Sequence, residues 1–274
     1  MASAGNDSKP TLPSHSHEPE TSEMTTDTYQ FPSDRLQTKQ HQPDKTPLVL
    51  VACGSFSPIT YQHLRMFPMA SDFVRFNTDY EVMGCYLSPV SDAYKKIGLA
   101  PACHRIEMSE LAVKSSDWIM VDPWEAIQPE YVPTAKVLDH FEYEINTVMG
   151  GVEDVNGNKR HVKISLLAGA DLIQTMSTPG LWAPRDLDHI LSNFGTFIIE
   201  RAGTDIDEAL ASLKQWEDQI YYIPQIIPND ISSTKIRLLL KRNMSIDYLI
   251  PGNVIKYIKQ KGLYQEEDSS AGKA

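Results

Sequence analysis

The stretch Gly54-Ser55-Phe56-Ser57-Pro58-Ile59-Thr60-Tyr61-Gln62-His63 follows an apolar run from Leu48 to Cys53. It leads into a helical pattern with Leu64, Phe67, Ala70 and Phe73 on one face. A strand that ends in small residues and turns directly into a helix aims backbone N–H groups and the positive helix end at one point, which suits a phosphate. Much later, Asn229-Asp230-Ile231-Ser232-Ser233-Thr234-Lys235-Ile236-Arg237 places hydroxyls before two cations that open a second helix. Two phosphate-directed helix starts far apart in one chain imply a nucleotide held between them.

Other phosphate sites are excluded by what these motifs lack. There is no GxxxxGK[ST] loop, and no GxGxxG follows the first strand, so neither a P-loop nor an ordinary dehydrogenase fingerprint is present. Ser55 is followed by Phe56-Ser57 rather than x-Gly, which excludes a serine nucleophile elbow.

The elements that must position these residues follow from an alternation of apolar β-rich runs and helical patterns. Strands are expected near 48–53, 81–88, 118–121, 162–168, 195–201 and 220–227. Helices are expected near 62–76, 101–115, 133–149, 186–193 and 205–217. This alternation predicts an α/β, Rossmann-like, mostly parallel sheet with helices on both faces, and residues 232–262 read as a small C-terminal helical cap. Ligands then bind beyond the carboxyl ends of the strands, where Gly54, Ala168-Gly169-Ala170-Asp171 and Glu200-Arg201 all fall. Pro68 is expected to kink the first helix, and Gly150–His161 reads as an exposed loop.

Residues 1–45 are rich in Ser, Thr, Pro, His, Gln and acids. They are expected to form a disordered tail, followed by one α/β domain over 46–264 and a flexible tail over 265–274. His15 and His17 read as solvated tail histidines. The net charge is −11, with seven acids against four bases in residues 1–46 and three against one in 265–274, so the body between is acidic too. Such a body argues against nucleic acid or an anionic membrane as partner, and no apolar run approaches the length of a membrane span. Cys53, Cys85 and Cys103 show no metal or disulfide spacing and read as buried reduced thiols of an intracellular protein, in nucleus, cytoplasm or both.

The pair GSFSPITxxHLRMF and ISSTKIR resembles the eukaryotic nicotinamide/nicotinate mononucleotide adenylyltransferases, within the HxGH-type nucleotidyltransferases. The likeness runs from about Leu48 to about Tyr264. Thr60 stands where the wider class has its first motif His, and only His63 survives of that pair. The resemblance implies attack by the 5′-phosphate of the mononucleotide on the α-phosphorus of ATP, giving NAD or its deamido form and pyrophosphate. A phosphate nucleophile is already ionised, so catalysis reduces to in-line placement and neutralisation of the leaving charge.

Carried over residue by residue, the resemblance makes His63, Lys235 and Arg237 catalytic. It assigns ATP to Gly54, Ser55, Phe56, His63, Lys96, Gly169, Asp171, Thr234, Lys235 and Arg237. The mononucleotide falls to Ser55, Phe56, Trp124, Asp171, Leu181, Trp182, Arg201 and Asn229, with the two tryptophans as π faces for a cationic pyridine ring. Arg65, also matched, reads better as an internal ion-pair partner. No side chain is assigned to a metal: Glu81, Asp122 and Glu200 lie near strand ends without forming a cage, and Mg²⁺ or another divalent ion is expected to arrive with the ATP phosphates. A homo-oligomer is expected. Two competing readings are a cytidylyltransferase or phosphopantetheine-type adenylyltransferase, disfavoured by the tryptophan pair, and a non-catalytic nucleotide-binding or chaperone-like protein, disfavoured by His63, Lys235 and Arg237.

Overall fold

The computed structural model describes residues 28–201 and 206–265; the expected tails over 1–27 and 266–274 lie outside the described residues. Strand β1 (Thr46–Gly54) is central, followed by α1 (Tyr61–Asn77), β2 (Tyr80–Pro89), α2 (Ala102–Val113) and β3 (Ile119–Val121). Helix α3 (Thr134–Glu142) continues into a wider turn over Tyr143–Val148 and precedes the short strands β4 (Val152–Glu153) and β5 (Lys159–Arg160). The second half holds β6 (Lys163–Gly169), α4 (Ala170–Ser177), α5 (Pro184–His189), β7 (Thr196–Ile199), α6 (Ile206–Ser212), β8 (Ile220–Ile223), α7 (Ser233–Lys241) and α8 (Gly252–Lys261). Six strands form one parallel sheet in the order β3-β2-β1-β6-β7-β8, with the topological switch between β1 and β6.

Alternation along β1 fixes both faces. Leu48, Leu50 and Ala52 enter the core under α1, α2, α7 and α8, while Val49 and Val51 enter the core under α3, α4 and α5. Adjacent strands buried on both faces leave nowhere for water, which explains why these segments read as continuous apolar runs. Helix α1 runs on through Pro68, burying Met66, Phe67, Ala70 and Val74, so the proline does not end it.

Several expectations need correction. Residues 28–45 are a strap packed on the domain, against the expectation of a disordered segment reaching residue 45. Leu36 is buried against the α3 face, Phe31 packs on Tyr86 and Phe141, and Arg35 donates to the carbonyls of Val113 and Ile119. A register shift between Leu48 and Val49 leaves Met83 as an extra residue in β2, and its carbonyl accepts the Gln37 N–H at 2.8 Å. The expected loop over 150–161 is the β4–β5 hairpin, tied to the strap by reciprocal bonds of Gln40 and Thr38 with Glu153. Gly151, at φ +77°, has the Arg160 carbonyl 2.1 Å from where a Cβ would stand, so backbone contact holds the hairpin close. Helix α4 was not anticipated, and Cys103 is exposed rather than buried. Arg65 is exposed and forms no ion pair among the described residues, so the expected internal pair is not found there. No helix among the described residues is long and apolar enough to cross a membrane.

Candidate active site

Beyond the carboxyl end of β1 the chain turns through Gly54–Ile59 into α1. Thr60 caps α1 and is fully buried. Its backbone N–H donates to His63 Nδ1 at 3.0 Å, and its hydroxyl lies 3.0 Å from the same nitrogen. Since an N–H can only donate, Nδ1 is the acceptor and the imidazole carries its hydrogen on Nε2. Burial, with a smaller push from Arg201, lowers the His63 pKa to about 4, so the ring is a neutral donor at pH 7. Phe56, at φ +44°, packs edge-on against His63 with centroids 5.3 Å apart. Thr60, in the place of the wider class's first His, thereby fixes the tautomer of the second.

The C-terminal motif reaches the same loop. Ser232 caps α7 by accepting the Lys235 N–H at 3.3 Å, and Ser233 Oγ donates to the Pro58 carbonyl at 2.8 Å. Arg237 spans the gap: Nη1 donates to the Ser57 carbonyl at 2.7 Å and Nη2 to Thr234 Oγ1 at 3.3 Å. A Cβ placed on Gly98 would lie 3.5 Å from Arg237 Nε, so the loop carrying Lys95 and Lys96 passes beside it. A concavity of about 260 Å³ lined by Asp92, Lys95, Lys96 and Pro101 opens there. Thr234 and Lys235 are exposed, and Lys235 Nζ pairs with Asp230.

Gly169 caps α4, whose first turn carries Asp171. Asp171 pairs with Arg201, which adds a smaller push to the lowered pKa values of His63, set mainly by burial, and of Asp230, set mainly by its bond from Lys235. The structure therefore brings His63, Asp171, Arg201, Lys235 and Arg237 to one end of the sheet. Asn229 accepts the Ile231 N–H at 3.0 Å through Oδ1, which shapes the approach to α7.

Trp124 and Trp182 both pack, half-buried, on the α3 and α4 face. The Trp182 indole donates to Thr175 Oγ1 at 3.1 Å, and its neighbour Leu181 is largely exposed. One face of Trp124 is covered by His140, parallel within 5° at a centroid distance of 4.1 Å.

Residues that sequence reasoning missed support this frame. Arg105 is fully buried in α2, donating to the carbonyls of Ala100 and Ser55 and to Asp92 Oδ1 at 2.8, 3.2 and 3.0 Å. It ties the first loop to the Lys95–Lys96 segment. Ser57 Oγ accepts the Ala100 N–H and meets the Tyr264 hydroxyl at 2.8 Å. Glu125 accepts from Ser88 Oγ at 2.6 Å, and burial pushes its pKa up to about 8. Nothing in residue type or spacing separates these side chains from surface ones before folding. A buried Arg in a helix becomes visible only when its partners converge.

The carboxylates near the strand ends are already engaged. Glu81 accepts the N–H groups of His41 and Gln42, Glu200 accepts that of Gln225, and Asp122 faces Tyr29, Trp124 and His140. Among the described residues no three His, Cys, Asp or Glu side chains stand where they could hold a metal ion together.

Residues 51–239 match the family model described as cytidylyltransferase-like. Within that class the similarity narrows. The chain is 54% identical over 247 residues to nicotinamide/nicotinic acid mononucleotide adenylyltransferase 1 of Saccharomyces cerevisiae, covering 89% of this chain and 62% of the relative. It is 39% identical over 255 residues to the Bos taurus protein of that name, covering 82% and 91%, and 40% identical over 244 residues to the Arabidopsis thaliana nicotinamide/nicotinic acid mononucleotide adenylyltransferase, covering 86% and 98%. The chain belongs to the nicotinamide/nicotinic acid mononucleotide adenylyltransferase family. It spans about 62% of the length of the yeast relative.

Proposed function

We propose that this protein transfers the adenylyl group of ATP to nicotinamide mononucleotide, and also to nicotinate mononucleotide, releasing pyrophosphate and forming NAD or deamido-NAD. The observation that carries the reading is Arg237 bonded to the Ser57 carbonyl across 180 positions of chain, which closes the two phosphate-directed motifs around one point. The names of the relatives support the choice of acceptor.

The acceptor phosphate attacks the α-phosphorus in line, so the P–O bond to the β-phosphate breaks as the new one forms, and no proton needs to be removed. Neutral His63 donates through Nε2 to the oxygens where charge accumulates, without a desolvated imidazolium. Arg237 and Lys235 exchange their internal acceptors for phosphate oxygens, and Lys96, Thr234 and the N–H groups of Ser55 and Phe56 complete the cradle. Gly169 leaves room beside Asp171, which accepts from a ribose hydroxyl while Arg201, Asn229, Leu181, Trp124 and Trp182 receive the mononucleotide. The engaged carboxylates fit a divalent ion that comes with the ATP phosphates better than one caged by protein. Such an ion, Mg²⁺ by preference, supplies further charge neutralisation when bound. The free cysteines support an intracellular setting, in cytoplasm or nucleus, and exposed Ile226 and Ile227 beyond the edge strand β8 support a homo-oligomer.

The test is incubation of pure protein with ATP, Mg²⁺ and each mononucleotide, with chromatography for NAD and deamido-NAD. Parallel reactions offer choline phosphate with CTP and phosphopantetheine with ATP. Product only in one of the latter would replace the acceptor, and no product with any would remove the catalytic reading.

A further inference from the structure

We infer that Tyr29, on the N-terminal strap, is a positioning residue for the pyridine-ring site, acting through Asp122 and His140 on Trp124; this rests on the reading of Trp124 as an acceptor platform. Four groups from three separated segments meet here. Tyr29 Oη donates to Asp122 Oδ1 at 2.9 Å and lies 3.0 Å from His140 Nε2. Asp122 Oδ2 has no hydrogen-bond donor of its own and faces the same His140 nitrogen at 3.2 Å. Asp122 Oδ1 also accepts the backbone N–H of Trp124 at 3.1 Å, and the His140 ring lies flat beneath the Trp124 indole.

Asp122 is 1% exposed, so its carboxylate depends on these donors for the solvation that water cannot give. Burial and the neighbouring Asp122 push the Tyr29 hydroxyl far above its ordinary pKa, so it stays protonated and can only donate towards the carboxylate. Both supports of Trp124 then depend on one hydroxyl: the Asp122 oxygen that fixes its backbone, and the imidazole that fixes its ring plane. Phe31 holds the same strap in place beside His140, edge-on at 6.0 Å. A stacking platform that tilts loses contact with a flat ligand and leaves the ATP cradle at the start of α7 untouched. The strap thus contributes to acceptor affinity without touching the acceptor.

The experiment compares full-length wild type with Tyr29→Phe, Trp124→Ala and the double variant, measuring KM for nicotinamide mononucleotide and for ATP, kcat, and melting temperature. Tyr29→Phe keeps the ring and removes only the hydroxyl. We expect its mononucleotide KM to rise about three- to tenfold, the range set by one lost hydrogen bond, while ATP KM changes less than about twofold. In the double variant the two effects should not multiply, because Tyr29 acts through Trp124. If Trp124→Ala raises the mononucleotide KM selectively but Tyr29→Phe is silent, shifts both KM values alike, or multiplies with Trp124→Ala, the role of Tyr29 is overturned and the platform stands. If Trp124→Ala itself leaves the mononucleotide KM unchanged, the platform reading falls and the Tyr29 proposal falls with it.

Discussion

Trp124 and Arg237 stand on the two sides of the candidate site and are held in opposite ways. Trp124 rests on a cluster of Asp122, His140 and Tyr29 whose polar groups face one another. Arg237 rests on the Ser57 carbonyl and the Thr234 hydroxyl, and its companions Lys235 and Arg201 rest on Asp230 and Asp171 at partly exposed positions. A flat ring is recognised by a surface, which has to be in place beforehand. A polyphosphate is recognised by charge, which can wait on weak internal partners and be handed over. His63, which we propose serves the phosphates, nevertheless belongs with the prebuilt side, because Thr60 fixes it from beneath.

The largest effect should therefore come from His63. His63→Ala removes a preorganised donor, and turnover should fall roughly a hundred- to a thousandfold, or about 2.7–4 kcal/mol of transition-state stabilisation. The same change strands the buried Thr60 N–H, at about 1–3 kcal/mol of stability. Glutamine at this position can make the back-bond of a capping box, so His63→Gln should recover the melting temperature but not the rate. The pH dependence sharpens the point. The folded pKa of about 4 lies below the ordinary 6.5, so the stability due to neutral His63 is present above pH 6.5 and lost as pH falls towards 4. His63→Gln should flatten that part of the stability curve, and an unchanged slope would show that the ring is not held neutral.

Next in size is a change far from the chemistry. Leu36 anchors the strap against the α3 face and touches the space beside Gly84, so Leu36→Ala should cost about 2–5 kcal/mol, read as a drop in denaturant midpoint. Removal of residues 1–44 should destabilise at least as much, whereas removal of residues 1–27 should leave the midpoint nearly unchanged. Equal midpoints for the two truncations would mean that the strap adds nothing to the fold.

That strap marks the limit of what the sequence makes legible. The strands were readable because parallel strands buried on both faces leave unbroken apolar runs, and β1 shows this from Leu48 to Cys53. The two helix starts were readable because their signals are local: small residues, a cap and cations within one turn. Tyr29, Phe31 and Leu36 have neither property. They are single anchors in a polar, extended segment, without a period of two or of 3.6, so composition alone reads them as a tail. Arg105 and His140 lie on helices where a polar residue ordinarily points outward, and only the folded chain shows Ser55, Asp92 and Asp122 waiting for them. Wider turns likewise extend α3 and α5 over Tyr143–Val148 and Ile190–Phe194, where periodicity predicts plain helix.

A smaller effect tests the aromatic side directly. Trp182→Ala should raise the mononucleotide KM about five- to thirtyfold, the range expected for stacking on a flat cation in a desolvated pocket, with little change for ATP. Trp182 also packs on the α4 face and donates to Thr175, so some stability will be lost as well. Equal impairment of both substrates in a destabilised variant would make it a packing residue and leave the ring to Trp124.

The smallest effect is the one that tests the charge side of the comparison. Lys235 and Asp230 form an exposed pair, and the lysine holds the Asp230 carboxyl below its ordinary pKa, with Arg201 adding to this from further away. Exposed pairs add little to stability, so Asp230→Asn should leave the melting temperature where it is. If Lys235 must leave Asp230 to reach a phosphate oxygen, the neutral side chain removes a competitor, and ATP KM should fall about two- to fivefold with the mononucleotide KM nearly constant. The gain should shrink as salt is raised, because screening weakens the competition between carboxylate and phosphate. A rise in ATP KM would show instead that Asp230 holds Lys235 in its working position, and the charge side would then be prebuilt in the same sense as Trp124.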